Sequence, residues 1–153
     1  MPNYNQSEKK AIISVVLGIR VDRATEALAA ALTPLFTIVG GKVLMTGFYG
    51  VITTASGANL THLEATPTTG TSQPVCADLD INPAIVGDVL TITGVGNAAM
   101  TYNASVTGLP MMASKGVILS PGTLDVHPAA ADGAVEWTMF YIPLDDGAYV
   151  TAT

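Results

Sequence analysis

The 153-residue chain holds a single cysteine, Cys76, and only two histidines, His62 and His127. One cysteine excludes an internal disulfide and any multi-cysteine metal knuckle. Two histidines exclude a His-rich metal site, though not a lone catalytic imidazole. Charged residues make up 12% of the chain, with six basic residues against twelve acidic ones and a net charge of −6. A pI near 4.5 leaves no basic stripe for generic nucleic-acid binding. No apolar run reaches the ~18–20 residues that a spanning helix needs, so a membrane span is not expected. Lys9 and Lys10 precede an apolar octet, Ala11 to Gly18, but Arg20, Asp22 and Arg23 follow at once, and a cleaved secretory leader is not expected.

What is abundant points the other way. The hydrophobic set supplies 49% of residues, and there are 15 Gly and 9 Pro. That composition excludes a wholly disordered chain and favours β structure with many turns. At this length one domain is expected, large enough to bury a core without metal or disulfide.

Charge is unevenly placed. Residues 1–42 carry +2, and residues 43–153 carry −8 with Lys115 as their one basic residue. Residues 1–33 read as an arm, extended or partly helical. Asp22 to Leu32 is alanine-rich and helix-prone but shows no apolar stripe, while Ile12, Ile13, Val15, Val16 and Leu17 are suited to an edge strand. A basic, apolar arm of this kind is drawn to an acidic surface through Lys9, Lys10, Arg20 and Arg23 and held by Ile12, Ile13, Val15 and Val16. Removing residues 1–31 is then expected to leave the body folded.

Residues 34–153 read as one β domain, a jelly-roll-like sandwich or barrel. Strands are expected at Leu35–Val39, Lys42–Thr54, Leu60–Ala65, Val75–Ile81, Val89–Thr93, Met100–Val106, Val117–Leu119, Leu124–Val126, Ala134–Ile142 and Tyr149–Ala152. Gly40-Gly41 between the first two reads as a hairpin turn. The runs Val43–Ile52 and Val135–Ile142 look apolar on both faces, which predicts that a neighbouring subunit covers one of them. Phe48, Ile52, Phe140 and Ile142 are the expected subunit contacts.

Chemical motifs are sparse. Gly94-Val-Gly96-Asn-Ala-Ala99 matches the letters of a dinucleotide fingerprint, but a β-like segment follows where a helix is required, and it reads as a hairpin loop. Asp78-Leu-Asp80-Ile-Asn82 opens like a calcium loop, then places Pro83 where glycine is needed and Val89 at position twelve. His62 and Glu64 share a strand face, as a general acid–base pair would, yet no serine lies in a nucleophile elbow and His127-Pro128 reads as a turn. Cys76 reads as a buried hydrophobe. Asn59-Leu-Thr61 and Asn103-Ala-Ser105 are glycosylation sequons, relevant only to a secreted chain. No catalytic residue, cofactor or metal ligand is assigned.

The segments Leu32–Leu44, Gly87–Gly94, Val117–Leu124 and Val135–Gly147 resemble small β-rich structural proteins of tailed bacteriophages, in particular capsid decoration (cement) proteins and related head or tail accessory proteins. The resemblance implies a β-sandwich or barrel without catalysis, fixed as a multimer, frequently a trimer, to the outside of an icosahedral shell. It implies the major capsid protein and the chain's own copies as partners, neither nucleic acid nor membrane, and a protein soluble in the host cytoplasm before assembly on the capsid surface. A tail or neck component is the alternative within the particle. A carbohydrate-binding β-sandwich, using Tyr102 or Tyr149 as an aromatic platform, is the alternative from another class.

Overall fold

The computed structural model describes residues 5–8, 11, 16–103 and 116–153. Twelve strands are present among them: β1 (Ile19–Ala27), β2 (Thr33–Val39), β3 (Val43–Thr54), β4 (Leu60–Pro67), β5 (Gln73–Pro74), β6 (Leu79–Asp80), β7 (Val89–Thr91), β8 (Thr101–Asn103), β9 (Val117–Leu119), β10 (Gly122–Pro128), β11 (Ala134–Pro143) and β12 (Tyr149–Ala152). They form two antiparallel sheets packed as a sandwich. Sheet A runs β1-β11-β3-β7-β8, with β9 also on β3; sheet B runs β12-β2-β10-β4-β5, with β6 also on β4.

The order follows from a chain that retraces itself. β1 pairs with β11, β2 with β10, β3 with β7 and β9, and β4 with β5 and β6. Rolling that long double ribbon brings β11 onto β3 and β10 onto β4. This nested pairing is the jelly roll, with β12 added beside β2.

Three local readings are corrected. First, the Gly40-Gly41 turn is not a hairpin, because β2 lies in sheet B and β3 in sheet A. The turn carries the chain between sheets, pinned where Asp145 Oδ2 accepts the Lys42 amide at 2.7 Å. Second, residues 22–27 are strand, not helix. An alanine-rich helix without an apolar stripe has no face to bury, whereas as a strand the segment satisfies the free edge of β11 from Ile19↔Tyr141 to Ala27↔Ala134. Residues 19–33 therefore run into the sandwich, and Leu28 is buried with its amide on Gly133 O at 3.0 Å.

Third, the two faces of β3 are not those that strict alternation assigns. Phe140 pairs with Gly47 and Tyr141 with Met45, which leaves Thr46 as a bulged extra residue. A bulge of one residue reverses the strand's alternation. Val43 and Met45 before it, and Phe48 and Ile52 after it, thus all face the core. Phe48 and Ile52 are fully buried there, not at a subunit contact. On β11, Val135, Trp137, Met139 and Tyr141 face inward, and Phe140 and Ile142 alternate outward.

The core lies between the sheets. Phe48 sits at its centre, edge-on to Phe36 at 6.3 Å and tilted against Trp137 at 5.3 Å between ring centroids. Towards the N-terminus, residues 6–8, 11 and 16 are helical. Asn5 and Glu8 form a reciprocal capping box, Glu8 N to Asn5 Oδ1 at 2.9 Å and Asn5 N to Glu8 Oε2 at 2.8 Å. No helix among the described residues is long and apolar enough to cross a membrane.

Candidate functional site

Of the arm residues singled out above, Lys9, Lys10, Ile12, Ile13 and Val15 lie outside the described residues. Val16 is exposed and helical. Arg20 and Arg23 are held within β1 itself, Arg20 Nε on Asp22 Oδ1 at 2.8 Å and Arg23 on Glu26 Oε2 at 2.6 Å. Hydrogen bonding to Asp22 raises the Arg20 pKa further. Both guanidinium groups thus already have acidic partners on their own strand.

The outer face of sheet A carries an apolar row. Leu44 stands opposite Ile142 on one side and Ile118 on the other. Paired residues share a face, and their neighbours Met45, Tyr141 and Leu119 occupy the core, so these three side chains look outward. Ile118 is 62% exposed and Ile142 37%. Leu144, just past β11, extends the apolar surface, with its amide on Lys42 O. Of the four expected subunit contacts, Ile142 is on this surface, Phe140 is buried on the same face, and Phe48 and Ile52 are core. Ile118 also borders a shallow open pocket of about 180 Å³ beside Pro67, Thr71, Gln73 and Ser120, and among the described residues no charged side chain lines it.

Where β4 and β10 run side by side, the outer face of sheet B is polar. The β4–β10 register sets His62 opposite His127, Glu64 opposite Asp125 and Thr66 opposite Thr123. The reading of His127 as a turn residue is corrected: it belongs to β10, and its ring meets His62 edge-to-face at 5.0 Å between centroids. His62 Nδ1 lies 2.7 Å from Asp78 Oδ1, and His62 Nε2 lies 3.8 Å from Glu64 Oε2. Asp125 is only 1% exposed. Thr66 donates to its Oδ2 at 2.5 Å, while Oδ1 has no partner among the described residues. Asp80 does not join Asp78 in a cation loop, because its Oδ1 accepts the amides of Asn59 and Asn82.

No described serine hydrogen-bonds either imidazole; Ser56 Oγ points to backbone carbonyls and Ser72 Oγ to Thr66. Cys76 is buried with its sulfur accepting the Leu63 amide, and burial pushes the thiol up to about 11. Residues 92–100 form the loop of the β7–β8 hairpin, without the helix a dinucleotide site requires. Trp137 is fully buried, and the Tyr102 hydroxyl lies 2.6 Å from Asp88 Oδ2 and 2.9 Å from Pro83 O, which leaves Tyr149 as the exposed aromatic of the two named for glycan binding.

Compared with known proteins, the chain matches no protein family, no curated protein and no solved structure.

Proposed function

We propose that this chain is a non-enzymatic virion structural protein, a capsid decoration (cement) protein that binds the outer shell of a tailed-phage head as a homotrimer. The observation that carries the reading is the Leu44–Ile118–Ile142 row on the outside of sheet A. Each of the three belongs to a different one of the segments that resemble phage structural proteins. A row of partly exposed aliphatic side chains on the outside of a sheet is stabilised by contact with a like surface, at about 25 cal/mol per Å² of apolar area covered. The jelly roll is an architecture that viral capsid proteins use, which is support by analogy of fold alone. Many copies on one shell make modest affinity per copy sufficient. The partners in this reading are the chain's own copies and the major capsid protein, and the location is the capsid surface.

Light scattering at tens of micromolar and co-sedimentation with bare phage heads test it together. A micromolar subunit contact, worth roughly 8 kcal/mol, keeps the trimer populated at that concentration. The double variant Ile118→Asp, Ile142→Asp gives a folded monomer that decorates heads poorly. A wild-type chain that stays monomeric and fails to bind heads would sink the proposal.

A further inference from the structure

We infer that the outer face of sheet B binds one divalent transition-metal ion, zinc by its ligand chemistry, between His62 Nε2, His127 and a Glu64 carboxylate oxygen. The three donor groups lie within 4.8 Å of one another. A tetrahedral ion with bonds of about 2.0–2.1 Å holds its donors about 3.4 Å apart. The difference is closed by rotation of His127, which is exposed, and Glu64, which is half-buried.

Two further features point to a cation. The Asp78 carboxylate accepts a hydrogen bond from His62 Nδ1–H at 2.7 Å, which leaves the Nε2 lone pair on the side of Glu64 and His127. A carboxylate behind the imidazole is the arrangement that orients a metal-bound histidine and raises its basicity. Asp125, directly across the ladder from Glu64, is buried with its Oδ1 lacking any described partner, and a bare buried carboxylate oxygen is costly unless positive charge stands near it. The described basic residues do not supply that charge: Arg20 and Arg23 pair within β1, and Lys42 sits in the turn between β2 and β3. Two imidazoles and one carboxylate suit zinc and its neighbours, whereas calcium and magnesium take oxygen donors. Three protein ligands leave a fourth position open to solvent. Independently of any role on a shell, such an ion clamps β4 to β10.

Zinc chloride titrated by calorimetry into the chelator-stripped full chain tests the inference, with magnesium and calcium chloride as controls. The expected result is one zinc per chain at micromolar affinity or tighter, no heat from the controls, and a melting midpoint raised by about 5–10 °C at a hundredfold excess over Kd. His127→Ala and Glu64→Gln each weaken zinc at least tenfold, and Asp78→Asn by about 10–100-fold through loss of the orienting hydrogen bond. The metal-free melting of His127→Ala, a change at an exposed side chain, stays that of the wild type, so a lost fold is distinguished from a lost ligand. Zinc binding weaker than 100 µM, or binding that is unchanged in His62→Gln with His127→Ala, overturns the assignment.

Discussion

Gly50→Ala sets two opposed effects against each other inside the core. Gly50 lies in mid-β3 between Trp137 of β11 and Leu90 of β7. Its backbone is outside the left-handed region, so alanine alone would stabilise the fold by about 0.4–1 kcal/mol by narrowing the unfolded ensemble. Its methyl group, however, would stand 2.5 and 2.6 Å from the Trp137 ring carbons Cζ3 and Cε3 and 2.8 Å from Val135 Cγ1. Carbon atoms rest at about 3.5–4.0 Å, so the indole must retreat by about 1 Å. It has nowhere to go, being fully buried against Phe48. Overpacking of this kind costs about 1–3 kcal/mol, which outweighs the entropic gain and leaves a net loss of about 0.5–2 kcal/mol. For a chain of this size that lowers the melting midpoint by about 1–8 °C. Trp137 is the one tryptophan, so its emission during urea titration reports the displaced ring and the lowered stability together. Gly87→Ala is the contrast. No described atom lies within 4 Å of the added methyl there, but φ is +94°, so the loss of about 1–2 kcal/mol is one of backbone conformation, and native emission stays put. Gly50→Ala melting at or above the wild-type midpoint with unchanged emission would refute the packing argument.

Deletion of residues 1–17 leaves a cooperatively folding sandwich by far-UV dichroism, whereas deletion of residues 1–31 removes β1, bares the edge of β11 and lowers the midpoint sharply; equal midpoints would show that β1 contributes nothing. Native Cys76 resists thiol reagents at pH 8 and reacts fully in denaturant, and rapid native labelling would contradict its burial. Because the folded thiol is held at about 11 against an ordinary value of 9.0, the unfolded chain loses this proton first, so stability declines as pH rises from about 9 to 11. The Tyr102 pKa is raised to about 12 by its hydrogen bond to Asp88, and ultraviolet titration is the check: Asp88→Asn is expected to bring it down towards the usual tyrosine range, and a midpoint unmoved by that change would assign the shift elsewhere.

The sandwich was legible because alternation and turn chemistry are local signals. The runs read as β9 and β12 match the strands residue for residue, and most of the others match within a few residues. What eluded the sequence depended on partners distant in the chain. β1 is strand because β11 offers it an edge, a tertiary demand that overrides the helix propensity of Asp22–Leu32. The bulge at Thr46 carries no local signature, so counting by twos through it assigned Phe48 and Ile52 to an outer face. On the site, the outward pairs His62/Glu64 and Asp125/His127 each show in the alternation with Leu63, Leu124 and Val126. Their meeting does not, since it rests on β10 lying beside β4 in a register no single strand reveals.

Nested pairing also sets a timetable for synthesis. Among the described residues β1 has one ladder partner, β11, and Ile19 must wait for Tyr141 to be made. At about 5–20 residues per second that wait lasts roughly 6–24 s on the ribosome. Throughout it β1 is an unpaired strand, the kind of segment that recruits other nascent chains. Four of its nine residues, Arg20, Asp22, Arg23 and Glu26, are charged. After folding they form two ion pairs along the strand; before folding the same charges act as gatekeepers against edge-to-edge aggregation. The charges of β1 thus act in the seconds before the sandwich exists as well as in the sandwich itself.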